Sequence, residues 1–202
     1  AQTGLEHVAE GGGRLPVLRG IVECPTLRPD GTILSDDGYD RATGLILDKG
    51  GVAFDPVPDE PTREDALAGL ERFKAIIRQF PFVGKGSRSV ALSGFLTAVC
   101  RRSLPAAPMH GFSAPAAGTG KSLLCDCIAM LAMGRPAAAL NQSGEPDGEE
   151  ERKALMSILM QGDPVVMIDN IARPVTGSRF CTILTQDTWQ DRQLGVNDNI
   201  TV

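Results

Sequence analysis

Pro115-Ala116-Ala117-Gly118-Thr119-Gly120-Lys121-Ser122 brings together the residue types that grip a polyphosphate. Successive backbone N–H groups in such a glycine-rich turn point into one concavity, and the helix that follows adds the positive end of its dipole. Gly118 and Gly120 permit a tight backbone path that a Cβ would obstruct. Lys121 can reach the β- and γ-phosphates, and the Ser122 hydroxyl is placed to ligate Mg²⁺. With Leu123 directly after them, the cofactor-binding segment is Pro115, Ala116, Ala117, Gly118, Thr119, Gly120, Lys121, Ser122 and Leu123. The general phosphate-loop (Walker A) pattern opens with Gly where this chain has Pro115, but the half that touches phosphate is complete.

A second carboxylate motif follows. Pro164-Val165-Val166-Met167-Ile168-Asp169-Asn170 is an apolar run ending in Asp. A parallel strand buried on both faces reads this way, and open α/β sheets place ligands at the C-terminal ends of their strands. Asp169 is therefore expected to hold Mg²⁺ opposite Ser122, directly or through water. It lies 169 − 121 = 48 positions after Lys121, room for helix, strand and helix between. The plain alternative is a core strand capped by a turn Asp, since Asp-Asn is a common turn pair.

These residues need a strand, a loop and a helix to position them. Met109-His110-Gly111-Phe112-Ser113-Ala114 reads as a short strand before the loop. Ser122 to Met133 reads as a helix apolar almost all round, stopped by Gly134 and Pro136. Ala137 to Leu140 reads as a short strand and Asn141 to Gly148 as a polar loop. Glu149-Glu150-Glu151-Arg152-Lys153 opens a further helix that Gly162 ends. That charged opening is a solvated face, although Lys153 can also be drawn towards a neighbouring subunit's nucleotide.

Upstream, Thr62-Arg63-Glu64-Asp65 is a helix-opening cap, after which Leu67, Leu70, Phe73, Ile76, Ile77 and Phe80 recur at helical spacing. Ser89 to Arg102 makes a second helix, whose closing Arg101-Arg102 pair suits a negative carboxyl end or, less simply, a DNA backbone. Residues 1 to 58 differ in kind: Leu15 to Val22, Thr32 to Leu34 and Thr43 to Leu47 read as strands of a small antiparallel β unit. Asp55 to Pro61 follows as a proline-rich linker.

The expected organisation is thus a β-rich unit over 1–58 and a P-loop NTPase domain over 59–202, an α/β fold with a three-layer αβα core around a mostly parallel sheet. With 42% hydrophobic residues in 202, the chain can bury a real core. Its net charge of −5 confines any nucleic-acid contact to local patches. No apolar stretch reaches the roughly 18 residues that cross a bilayer. Five cysteines without a CxxC pair, and two histidines, argue for buried thiols in a reduced, cytoplasmic protein.

The Gly118-Thr119-Gly120-Lys121 form of the loop resembles that of AAA+-type and related helicase ATPases. The wider chain resembles the helicase-like modules of replication or primase-helicase proteins from phages, plasmids and integrative elements. The resemblance is carried by Pro25–Gly31, Gly38–Leu45, Phe80-Pro81-Phe82, Ala114–Ser122, Ile168-Asp169-Asn170 and Leu184–Gly195. It implies an ATP- and Mg²⁺-dependent hydrolase acting as a DNA helicase or translocase, in contact with single-stranded DNA and assembled as a homo-oligomeric ring. It also implies that Arg192, in a stretch with Trp189, Leu194 and Gly195, is an arginine finger or a contact to a DNA phosphate; a surface arginine in a turn is the plain alternative.

Two departures matter. Similar ATPases follow the Mg²⁺-binding Asp with Glu, where this chain has Asn170, an amide that orients water but accepts no proton. The segment expected to sense the γ-phosphate, and the lid such proteins carry, would lie past Val202, so the domain is expected to be truncated. The expected catalytic set is Lys121, Asp169, Asn170 and Arg192, with Ser122 and Asp169 at the metal. A nucleotide-binding switch or scaffold with little hydrolysis is the competing expectation.

Overall fold

The computed structural model describes residues 16–142, 148–186, 190–192 and 199–201. The N-terminal part is built from short strands. Gly20–Val22 (β1) pairs in parallel with Leu45–Leu47 (β5), which pairs antiparallel with Gly38–Asp40 (β4). Thr26–Leu27 (β2) and Ile33–Leu34 (β3) form a separate antiparallel pair. Val22, Leu34, Leu45 and Leu47 form its small core. The unit is therefore mixed rather than antiparallel throughout, since β1 runs parallel to β5.

Arg28 and Asp40 hold this unit together. The guanidinium donates from Nε and Nη2 to the two Asp40 oxygens at 3.2 and 3.1 Å, while Thr43 donates to Asp40 from its amide and hydroxyl. The Arg28 hydrogen bonds, and then Thr43, hold the Asp40 carboxyl below the usual carboxylate range. A depressed carboxyl contributes stability above its unfolded value of about 3.9 and loses it as the pH falls through the folded value. Asp40→Asn is expected to melt earlier than wild type at neutral pH, with the difference in Tm closing as the pH is lowered below about 4. An unchanging difference across that range would show that the charge is not what matters.

Helices follow the exposed segment 52–61. Arg63–Ile76 (α1) opens on a reciprocal capping box between Thr62 and Asp65. Lys85–Cys100 (α2) starts four residues ahead of the expected Ser89, and Arg101–Ser103 closes it as a 3₁₀ turn. Lys121–Met133 (α3) follows the glycine-rich loop and ends at Gly134, whose N–H donates to Met130 O. Ala138–Asn141 (β6), Glu149–Leu159 (α4), Val166–Asp169 (β7), Ser178–Thr185 (α5), Gln190–Arg192 (β8) and Asn199–Thr201 (β9) complete the order.

The expected three-layer core is not present among the described residues. β6 and β7 pair in parallel as two strands, β8 and β9 pair antiparallel as two more, and no extended parallel sheet joins them. Residues 109–114, expected as the strand entering the loop, belong to no ladder. Their composition explains this. Pro108 and Pro115 remove N–H donors, Gly111 weakens any ladder, and the stretch contains no β-branched residue. β7 is half-buried along its whole length rather than enclosed on both faces.

The main core lies between helices instead. Phe95, Ala91, Ile77, Leu124 and Ile128 are buried where α1, α2 and α3 meet, with Phe112 and Val165 packed on their edge. A second cluster, Leu140, Leu155, Met156 and Ile158, joins α4 to the parallel pair. α3 is less enclosed than its sequence suggests, since Leu123 and Met130 are exposed. Nor are the thiols uniformly buried: Cys24 is, but Cys181 is exposed.

The β unit seats on the C-terminal end of α3, where free carbonyls need donors. Glu23 N–H donates to Met133 O at 3.0 Å, and Cys24 Sγ approaches Leu131 O. Arg101 and Arg102 close α2 in its 3₁₀ turn, and Arg102 reaches beyond that end. It turns inward and donates to Gly162 O at 3.2 Å, while its buried Nε has no partner among the described residues. Lys153 pairs with Glu150 at 3.0 Å.

Candidate functional site

Gly118 and Gly120 both take left-handed backbone, φ 76° and 87°, as a loop that folds its amides inwards requires. Helix α3 begins directly after Gly120, and Leu124 N–H donates back to Gly120 O at 2.9 Å. The N–H groups of the first turn ahead of Leu124 thus have no intrahelical acceptor. Pro115 to Gly118 are exposed, Thr119, Gly120 and Lys121 partly so, and Ser122 and Leu123 lie open on the first turn. Lys121 Nζ folds back to Ala116 O at 3.4 Å, and Thr119 Oγ1 donates to the same carbonyl at 3.3 Å. The ammonium thus waits over the loop on a weak contact.

Asp169 closes β7 at its C-terminal end, and β7 packs against α3. Cys125, one turn into α3, has its thiol pushed up first by burial, then by the charges of Asp126 and Asp169. The carboxylate that ends the strand therefore lies within electrostatic reach of Cys125, three residues after Ser122. Asp169 Oδ1 accepts from the Asn170 amide at 2.8 Å.

Asn170 has φ 51°, the one left-handed residue other than glycine among those described. Asparagine tolerates that conformation better than a longer side chain does. The amide residue after Asp169 thus has a backbone reason as well as a chemical one. Asn170→Ala is expected to lose about 1 kcal/mol of stability while Asn170→Gly stays within about 0.5, from the cost of placing a Cβ in this region. Urea unfolding of the two variants measures this, and equal losses would remove the backbone argument.

Gln142 was not singled out by its sequence position in a polar loop. Its Oε1 accepts from the amides of Ala172 and Arg173, both at 3.0 Å, and its Nε2 donates to Arg173 O. One side chain at the end of β6 thereby fixes the turn that leaves Asp169 and Asn170. Only a Gln immediately after a strand offered any signal.

Arg192 lies in β8, and nothing is described of its side chain; Trp189, Leu194 and Gly195 lie outside the described residues. Among the described residues no cluster of three His, Cys, Asp or Glu is built to hold a metal. No helix among them is long and apolar enough to cross a membrane. Comparison with protein-family models gives no match, and comparison with curated proteins and with solved structures gives none either.

Proposed function

We propose that this chain binds a nucleoside triphosphate on residues 115–123 and hydrolyses it with Mg²⁺, as the ATP-hydrolysing part of a helicase-like DNA translocase. The observation that carries the reading is the loop itself: two left-handed glycines leading directly into a 13-residue helix that opens on Lys121 and Ser122. Polyphosphate suits that arrangement through both its charge and its many acceptors.

The donor set fits a magnesium ion. Ser122 supplies a hydroxyl and Asp169 a half-buried carboxylate on a strand in contact with the same helix, hard oxygen ligands of the kind Mg²⁺ takes together with phosphate and water. Bound there, the ion would supply neutralisation of charge at the β- and γ-phosphates. Lys121 would leave Ala116 O for a phosphate oxygen. Asp169 would hold its carboxylate oriented through the Asn170 amide, and Asn170 would orient the attacking water. The DNA-translocating role, the ring assembly and Arg192 as finger or DNA contact rest on the resemblance of the segments already quoted.

Asn170 also favours a second reading, a nucleotide-dependent switch with little turnover, because an amide takes no proton from water. Phosphate release from Mg²⁺·ATP, with and without single-stranded DNA, separates the two. The hydrolytic reading expects release that rises with DNA and is lost in Lys121→Ala and Asp169→Asn. Tight ATP binding with no release at excess DNA supports the switch. Release indifferent to Lys121→Ala and to DNA overturns the first proposal.

A further inference from the structure

Beside the loop lies a cleft of about 220 Å³. Thr119, Gly120 and Lys121 form one side of it, and Phe80, Phe82 and Val83 another. The Phe80 ring reaches the loop backbone itself, for a Cβ built on Gly120 would stand 3.2 Å from Phe80 Cε1. The Phe80 and Phe82 ring centroids are 6.3 Å apart, within the range of interacting aromatic pairs. The Arg88 guanidinium lies 6.0 Å from the Phe82 centroid. Val83 at the rim is 99% exposed.

We propose that this aromatic wall seats the base of the nucleotide whose phosphates the loop holds. The inference rests on the nucleotide reading above and adds to it the residues that receive the base. Two chemistries meet in one cleft: a glycine-rich loop with a lysine among its lining, and two aromatic rings with an apolar rim. A ligand that satisfies both carries a polyanion and a flat aromatic group in one molecule, which a nucleoside triphosphate does. Phe80-Pro81-Phe82 thereby becomes part of the site rather than merely the chain after α1. The proline fixes φ between the two rings and so limits how far they can move apart.

Titration calorimetry with ATP and with inorganic tripolyphosphate, at equal Mg²⁺, tests the base seat apart from the phosphate site. Base stacking on aromatic side chains predicts ATP binding about tenfold tighter than tripolyphosphate. In Phe80→Leu and Phe82→Leu that gap is expected to shrink to about twofold. In Phe82→Leu tripolyphosphate affinity should stay at the wild-type value, which shows that the loop is still folded; Phe80→Leu, whose ring packs on Gly120, is read by its ratio of ATP to tripolyphosphate affinity. The proposal is overturned if ATP and tripolyphosphate bind alike to the wild type with sensitivity to Lys121→Ala retained, or if both leucine variants keep the full gap. Binding of neither ligand would instead overturn the nucleotide reading, and the base seat with it.

Discussion

Lys121→Ala is expected to weaken nucleoside triphosphate binding by roughly 10- to 150-fold while leaving thermal stability unchanged. The two halves of this expectation come from separate observations. In the protein alone, the ammonium makes one long contact, 3.4 Å to Ala116 O, from a partly exposed position. A contact of that length between groups open to water contributes almost nothing to folding. Against a triphosphate the same ammonium would make charge-assisted hydrogen bonds, worth about 1.5–3 kcal/mol with a charged partner. Calorimetric Kd values and melting curves on the same two samples check both halves. A large fall in Tm would mean that Lys121 supports the loop rather than its ligand. An unchanged Kd with unchanged Tm would remove the phosphate site from this loop.

Local chemistry was legible in the sequence and pairing was not. Gly118 and Gly120 announce left-handed backbone because few other residues enter it, and the helix starts where Lys121-Ser122 says it should. Thr62 and Asp65 announce a capping box because both partners lie within one turn. Asp169 ends a strand that its apolar run makes visible. Each of these is decided by neighbours in the chain.

What the strands pair with is decided by distant residues. An apolar stretch such as 109–114 carries no mark separating a ladder strand from extended chain packed by its side chains. Phe112 takes the second course and joins the helical core. The three-layer arrangement failed as an expectation for that reason, since it was inferred from motif order and motif order does not count hydrogen bonds between strands. β1 pairing in parallel with β5 could not be foreseen either, because a chain turning back on itself suggests antiparallel neighbours. Arg102 shows the same limit for a side chain. Its position after a helix suggested a dipole partner, whereas its acceptor is sixty residues away at Gly162. Gln142 and Phe80 are the site's versions of this: each acts on a segment about thirty or more residues distant, the first on 172–173 and the second on Gly120.

Phe95→Ala is expected to cost about 3–5 kcal/mol and to lower Tm by roughly 10 °C, the range for truncating a buried aromatic in a chain of this size. Phe95 is completely buried where α2 crosses the other helices, and its ring lies 5.8 Å from that of Phe73 at a tilt of 54°. The void would open beneath Leu124 and Ile128, the inner face of the helix whose first turn carries Lys121 and Ser122. Its effect should therefore travel. Residues 115–120 form no regular element of their own, so the position of their amides depends on how α3 is seated. The loss in stability should be accompanied by weaker binding of ATP and of tripolyphosphate by the same factor, even at a temperature where the variant is folded, because the phosphate end of the site moves. Equal weakening distinguishes this variant from Phe82→Leu, whose effect should fall on ATP alone. If Phe95→Ala melts early yet binds both ligands at wild-type strength, the loop is held by something other than the helical core, and the nearest alternative support is the Phe80 ring against Gly120.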